Sequence, residues 1–461
     1  MDIFSALQTA VSGLKAQSYA INNISGNIAN SQTTGYKRVD TSFVDLMAEQ
    51  TPKHEVAGTV LAQAQLTNTI QGNIASTQVA TNMAISGQGF FTVQQKTGDA
   101  NGQATFSGQT MYTRRGDFTP DKDGYLVNGA GGYLLGQNID PITGQTTSQG
   151  PIKVANVMLP AKPTDTITYA ANLPSAPVTS TSATAGSYLY KPTNTTLNVT
   201  STTAPTDAGP STASAKDVTE LTNNSIIGPQ VTAYTTTGAP VTVSTRWAKV
   251  SDADSANKKD AVWNLFYQSD STATSPVWTN AGMAVTFDGS GQMTEPSAGL
   301  IPINKLTVNG TNLGTVNINV AKSSLTQYAN ATGAASTNAL TQNGNSAGTL
   351  NSVAVGDDGK LNGTFSNGTV ATLANVGIAH FTNPDGLKPN SAGNYLQTAE
   401  SGVPLSGLNG GTLTGSSVEQ SNTDIASEFS KIIVTQQAYS ANTRVMSTAQ
   451  TMMSDLMNII R

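Results

Sequence analysis

Gly344, Ser346 and Gly348 fit the spacing G-x-S-x-G, in which a serine on a strained strand-to-helix turn becomes an exposed nucleophile. That chemistry needs a base, and the chain offers two histidines, His54 and His380. The residues around Ser346 are a run of Asn, Gly and Ser with no strand leading into them, so the pattern reads as a loop. Asp117, Asp121 and Asp123 beside Gly124 carry oxygens suited to a hard cation, but their spacing is not that of an EF-hand and the closing Glu is missing. A turn opening a hairpin is the better reading. His380 follows Ile378 and Ala379 on an apolar stretch, where a lone histidine is structural. Arg114-Arg115 has the charge to bind an anion, and reads better as a polar subunit contact or a solvated hairpin edge. With no cysteine, phosphate loop or paired carboxylates, the expectation is a protein without catalytic residues, cofactor or metal, and not an enzyme.

The composition narrows the classes further. A chain of 461 residues has room for two to four domains, yet only 11% of its residues are charged and 43 are glycine. That favours many turns and short strands. The net charge of −5, with no basic run, argues against nucleic acid as a partner, and no stretch suits membrane insertion. The N-terminus lacks a basic region and a continuous apolar core, so an exported chain would leave without a cleaved secretory signal.

Two amphipathic elements bracket everything else. Ile425, Ile432, Tyr439, Met446, Met453 and Ile460 recur every seven residues at the C-terminus, with Val418 one heptad upstream. The facing positions Phe429, Gln436, Thr443, Gln450 and Met457 are too mixed for a fully buried core within one chain. At the N-terminus Leu7, Leu14, Ile21 and Ile28 form a matching seam, flanked by Phe4 and Val11. These thirteen apolar positions, Phe429 included, are expected to form helical seams between subunits. The N-terminal helix should end near Asn30 in a loop where Gly35 takes a positive φ. Short apolar runs bounded by turn residues follow from Met83 onward. The tract 175–217, rich in Ser, Thr, Ala and Pro, reads as a flexible insertion or exposed edge strands.

The predicted fold is α+β and multidomain, with coiled-coil-like terminal helices packed together around nested, discontinuous, mainly-β domains. The expected division is 1–30 with 416–461 as the helical core, 31–75 as a connector, 76–157 with 321–415 as an inner β domain, and 158–320 as an outer one.

Asn27-Ile28-Ala29-Asn30-Ser31-Gln32-Thr33-Thr34-Gly35-Tyr36-Lys37 resembles the N-terminal signature of the flagellar rod, hook and hook–filament axial family, with Asn30, Thr34, Gly35 and Tyr36 as its loop. Ser421 to Phe429 and Gln436 to Thr443 are similar to its C-terminal signature. Tyr112 to Phe118 and Asp123 to Val127 match the rod and hook members alike. The strands over 241–291 are similar to an outer domain that the shorter rod members lack. The resemblance implies a structural subunit of the bacterial flagellar hook, which polymerises with itself into a curved tube that transmits torque from rod to filament. It also implies rod and hook–filament junction proteins, a hook cap and the flagellar type III export apparatus as partners, and an extracellular location. A distal rod or junction component is the alternative, and a secreted adhesin or enzyme the remote one.

Overall fold

The computed structural model describes residues 3–46, 59–100, 102–154, 157–182, 187–203, 213, 215–254, 256–271, 277–321, 323–390 and 393–459. The chain forms two compact units, 1–157 with 350–461, and 158–349. The stretch 321–349, placed with the inner β domain from sequence, therefore falls in the second unit. There Leu325–Thr326 and Ser336–Gln342 both pair with Thr166–Asn172.

The first unit opens with helix α1, Ile3–Ala29, and closes with a second long helix, Ile425–Ile459. The only other α-helix among the described residues is Ala215–Asn223, in the second unit, so the three are called α1, α2 (Ala215–Asn223) and α3 (Ile425–Ile459). α1 stops at Asn30, whose Nδ2 donates back to the Gly26 carbonyl at 2.9 Å, beside the 3.1 Å bond from its own backbone N–H. α3 starts at Ile425 because Asp424 caps it, accepting from Ala426 N at 2.9 Å. Val418, expected one heptad up the same helix, instead lies in strand Ser417–Glu419, paired with Ile74–Ser76.

The connector 31–75 is more regular than its sequence promises. Val39–Leu46 and Thr59–Leu66 form an antiparallel hairpin that runs along α1. Asn23 Nδ2 donates to Thr41 Oγ1 at 2.9 Å, and Val60 N donates to Ser12 Oγ at 3.3 Å. Phe43 and Leu46 lie in its first strand, and Met47 and His54 lie outside the described residues.

The β body of this unit is completed by strands from both halves of the chain. Lys360–Phe365, Val370–Val376, Gly132–Ile139, Phe90–Ala100, Met111–Thr113 and Asn394–Leu396 are neighbours in that order, all antiparallel. Strand Val370–Val376 thus docks on one laid down some 240 residues earlier, and neither half closes the sheet alone. Its core is aromatic: Phe381 meets Phe90 and Tyr112 edge to face at centroid separations of 6.0 and 4.7 Å.

In the second unit, Ser225–Tyr234, Pro240–Ser251, Ala261–Asp270, Val277–Phe287 and Met293–Glu295 form a sequential antiparallel sheet. The strands within the 241–291 stretch singled out from sequence belong to it. Its Trp247, Trp263 and Phe287 are fully buried against Ile301, Ile303 and Val316 of the other sheet. The described parts of the Ser/Thr-rich tract are neither loose nor edge strands. Tyr190, Leu197 and Ala213 sink into a core with Leu221, Phe266 and Trp278. A few apolar residues suffice to dock this tract, and its polar majority hid them.

Candidate assembly site

Asn27 Nδ2 donates to Glu428 Oε2 at 2.9 Å, and a β-carbon on Gly13 would stand 2.9 Å from Asn442 Nδ2. The two contacts run in opposite senses along the helices, so α1 and α3 are antiparallel. The same alignment sets Ala20 against Thr435 and Ala6 against Ala449, and Ala20, Thr435 and Ala449 are all buried. Small residues let the helix backbones approach closely, and Gly13 is the point where even a methyl group would press on the partner.

Within one chain each helix buries a different face from the one its large apolar residues mark. On α1 the buried side chains are Ala10, Ala16, Ala20, Ile24 and Asn27. Leu7, Val11, Leu14, Ile21 and Ile28 are only half buried, about a quarter-turn away at 100° per residue. On α3 the buried positions are Glu428, Thr435 and Ala449. Ile432, Met446 and Met453 sit half buried at the edge of that strip, while Ile425, Phe429 and Tyr439 are exposed. The side chains of Phe4 and Ile460 lie outside the described residues.

α3 keeps a large apolar surface open to solvent. Ile425 and Phe429 follow one flank of the buried strip with relative exposures of 43 and 53%, and Ile433, at 56%, continues the row onto the outer face. Val434, Val445 and Met452 follow the other with 65, 49 and 53%. A helix apolar on both sides of the strip it buries has the character of a helix meant to be surrounded.

Charged groups that read as surface residues are buried where the terminal segments meet the β body. Glu419 is fully buried; its Oε1 accepts from Lys37 Nζ at 2.5 Å and Gly72 N at 2.8 Å, its Oε2 from Arg114 Nη1 at 3.2 Å. Lys37 Nζ also donates to the Ile70 carbonyl at 2.6 Å, and Arg114 to the Ile85 and Gly87 carbonyls. Burial pushes both cations below their ordinary pKa, and Glu419 opposes that shift in each. Arg114 is thus neither an anion site nor a solvated edge. Arg115 pairs with Asp117 at 2.8 Å.

The signature loop is built onto this cluster. Gly35 N donates to the Glu419 carbonyl at 2.7 Å. Gly35 has φ +68°, and a β-carbon there would lie 2.6 Å from Arg115 N, so both the backbone conformation and the space demand glycine. Tyr36 hydroxyl donates to Asn27 Oδ1 at 3.1 Å, and burial, then Glu428, raises its pKa. Thr34 is half buried in the same loop. Asn27, Lys37, Arg114, Glu419 and Glu428 are the residues that seam-finding missed. The hint lay in a chain so poor in charge that each charged residue beside a signature motif merits a partner.

The sequence candidates for chemistry resolve into turns. Asp121 Oδ1 accepts from Asp123 N and Tyr125 N at 2.9 and 2.8 Å, closing a turn between the paired strands Thr119–Pro120 and Leu126–Val127. Ser346 sits in a loop between two strands, with no helix after it. His380 Nδ1 bonds to the Gly407 carbonyl at 2.9 Å. Among the described residues no group of His, Asp and Glu is arranged to hold a metal ion. None of their helices is long and apolar enough to cross a membrane.

Four family models match the chain. Residues 7–37 match the flagella basal body rod protein family and 84–167 the flagellar hook protein FlgE/F/G D1 domain. Residues 196–345 match the flagellar basal body protein FlaE D2 domain, and 414–459 the flagellar basal body rod FlgEFG protein C-terminal family. The flagellar hook protein FlgE of Brucella abortus is 30% identical over 469 aligned residues, covering 100% of both chains. The chain belongs to the flagellar hook protein FlgE family. The FlgE of Salmonella typhimurium is 29% identical and covers 98% of each chain. The crystal structure of Helicobacter pylori flagellar hook protein FlgE2 aligns with a TM-score of 0.48 at 14% identity, over 74% of this chain and 98% of that one. As a hook protein the chain is a structural subunit of the flagellar hook. End-to-end matching to hook proteins favours this over a distal rod or junction component.

Proposed function

We propose that the α1–α3 pair is the polymerising element of this hook subunit, and that neighbouring copies cover the two apolar flanks of α3. The half-buried Leu7, Val11, Leu14, Ile21 and Ile28 on α1, with Ile432, Met446 and Met453 on α3, border the same surface. What carries the reading is the run of large apolar side chains left exposed on both sides of α3. Apolar area of that kind is stabilised by about 25 cal/mol per Å² once it leaves water.

Stacked copies make a curved, flexible tube that passes torque from rod to filament as a universal joint. The helices supply stiffness along the tube, and low surface charge lets identical copies slide against one another without burying unpaired ions. Assembly places the chain outside the cell, after export through the flagellar type III apparatus and beneath a hook cap, with rod and hook–filament junction proteins at the two ends. The work is mechanical, with no catalytic step. Purified chain brought to polymerising salt and viewed by electron microscopy should give hollow tubes of uniform diameter. Amorphous aggregate, or protein that stays monomeric at every salt concentration, would count against the proposal.

A further inference from the structure

Seven asparagines stand directly before a glycine: Asn101, Asn128, Asn309, Asn343, Asn362, Asn367 and Asn409. A glycine leaves its backbone nitrogen unshielded by a side chain, so that nitrogen can reach the asparagine amide carbon and close a succinimide ring. Closure needs the asparagine side chain to turn back on its own main chain and the glycine backbone to shift toward it. Hydrogen bonds to the side-chain amide and crowding around the glycine oppose both movements. Asn101 lies outside the described residues; the other six differ in how firmly the fold holds them.

Five are held. Asn128 is buried, and its Oδ1 accepts from Ala130 N and Gly132 N at 3.1 and 2.8 Å. Asn309 Oδ1 accepts from Ser271 N at 2.7 Å and from Ser271 Oγ at 3.0 Å. Asn343 Oδ1 accepts from Asp165 N and Thr166 N at 3.2 and 3.1 Å, while its Nδ2 donates to Asp165 Oδ1. Asn362 Oδ1 accepts from Thr372 Oγ1 at 3.0 Å, and Gly363 is wedged between Leu350 and Leu373. Asn367 Oδ1 accepts from Thr369 N at 3.0 Å, and Gly368 N donates to the Phe365 carbonyl at 2.9 Å.

Asn409 is the exception. Its side chain is exposed and has no hydrogen-bond partner among the described residues. It opens strand Asn409–Gly415, which pairs with Met83–Gln88, but the register jumps from Asn409 opposite Gln88 to Thr412 opposite Ser86 and leaves Gly410 in a bulge. Gly410 has φ +68°, and a β-carbon there would meet nothing within 4 Å. We propose that Asn409–Gly410 is a site of spontaneous deamidation in the folded chain. The Gly410 nitrogen bonds to Asn409 Cγ, and the side-chain nitrogen leaves as ammonia with the proton that Gly410 gives up. One water then opens the succinimide at either carbonyl, leaving aspartate or isoaspartate. Both products carry a carboxylate where a neutral amide stood, and isoaspartate also lengthens the main chain by one carbon. The chemistry belongs to the single chain and does not depend on how copies assemble.

The unassembled subunit, held at mildly alkaline pH and mapped over time by peptide mass spectrometry, tests this. A parallel incubation in guanidinium chloride removes the fold and gives each site its unrestrained rate. In the folded chain Asn409 should convert within about threefold of its unfolded rate, while each of the other five falls below its own by roughly tenfold or more, the scale of a retained hydrogen bond. The Asn409 peptide should contain isoaspartate, which only the ring can yield. Asn409 slowed by folding as strongly as the other five would overturn the proposal, as would any of the five being slowed less than Asn409. Aspartate without isoaspartate would overturn it too, because the amide would then have hydrolysed directly.

Discussion

Glu419→Ala is expected to be the most destabilising single truncation in the first unit, costing about 3–5 kcal/mol. The substitution leaves Lys37 and Arg114, both almost wholly buried, facing each other without the carboxylate between them. It also removes the acceptor for Gly72 N. The strand carrying Glu419 pairs with Ile74–Ser76 and leads into α3, so the loss is felt where the terminal segments join the β body. The three tryptophans, Trp247, Trp263 and Trp278, all lie in the second unit. Denaturant unfolding followed by tryptophan fluorescence should therefore stay unchanged while the far-ultraviolet circular dichroism transition moves to lower denaturant. Replacing the group together, Lys37→Met, Arg114→Met and Glu419→Leu, should recover most of the loss, because no ion is then left buried alone. A Glu419→Ala chain that melts like the parent would show that water reaches the cluster.

Aspartate at Phe429 or Val445 is expected to block assembly and to leave the free subunit intact. Both positions are about half exposed or more in the single chain, so the change there should fall within about 0.5 kcal/mol. Between copies the same carboxylate would be taken out of water beside apolar side chains, at a cost of about 3 kcal/mol or more, raising the concentration needed for polymerisation over a hundredfold. Gln437, exposed on the face turned away from α1, provides the control: Gln437→Asp should shift that concentration far less. Sedimentation of polymer against total protein reads all three. Equal effects from Gln437→Asp and Phe429→Asp would remove the distinction between flank and outer face.

The elements at the two ends of the chain were legible because large apolar residues recur with a helical period, and the strands of the second unit because β-branched and aromatic residues alternate. The face that α1 buries was not. Periodicity weighs side chains by hydrophobicity, so it selected Leu7, Leu14, Ile21 and Ile28. Close helix approach is governed by the absence of bulk at Ala10, Gly13, Ala16 and Ala20, which scores weakly on any such scale. The ion cluster was hidden for a different reason. Lys37 and Glu419 are separated by 382 residues, and Arg114 and Glu419 by 305, so no local pattern joins them, and charged residues default to the surface. The hairpin 39–66 was lost because its strands mix apolar and polar residues on a surface that α1 covers only in part. By contrast, Gly35 was readable from local chemistry alone: a glycine after Thr33-Thr34 at a helix end suits the positive φ it adopts.

Single cysteines at Phe429 and at Met452, one on each flank of α3, test the central claim most directly in this cysteine-free chain. Labelling with a soluble maleimide should be rapid in the unassembled subunit, where both positions are more than half exposed. In sedimented polymer both should be protected by at least about tenfold, because a buried interface excludes the reagent. Cysteines that label as fast in the polymer as in the free subunit would place both flanks of α3 in solvent and contradict the account.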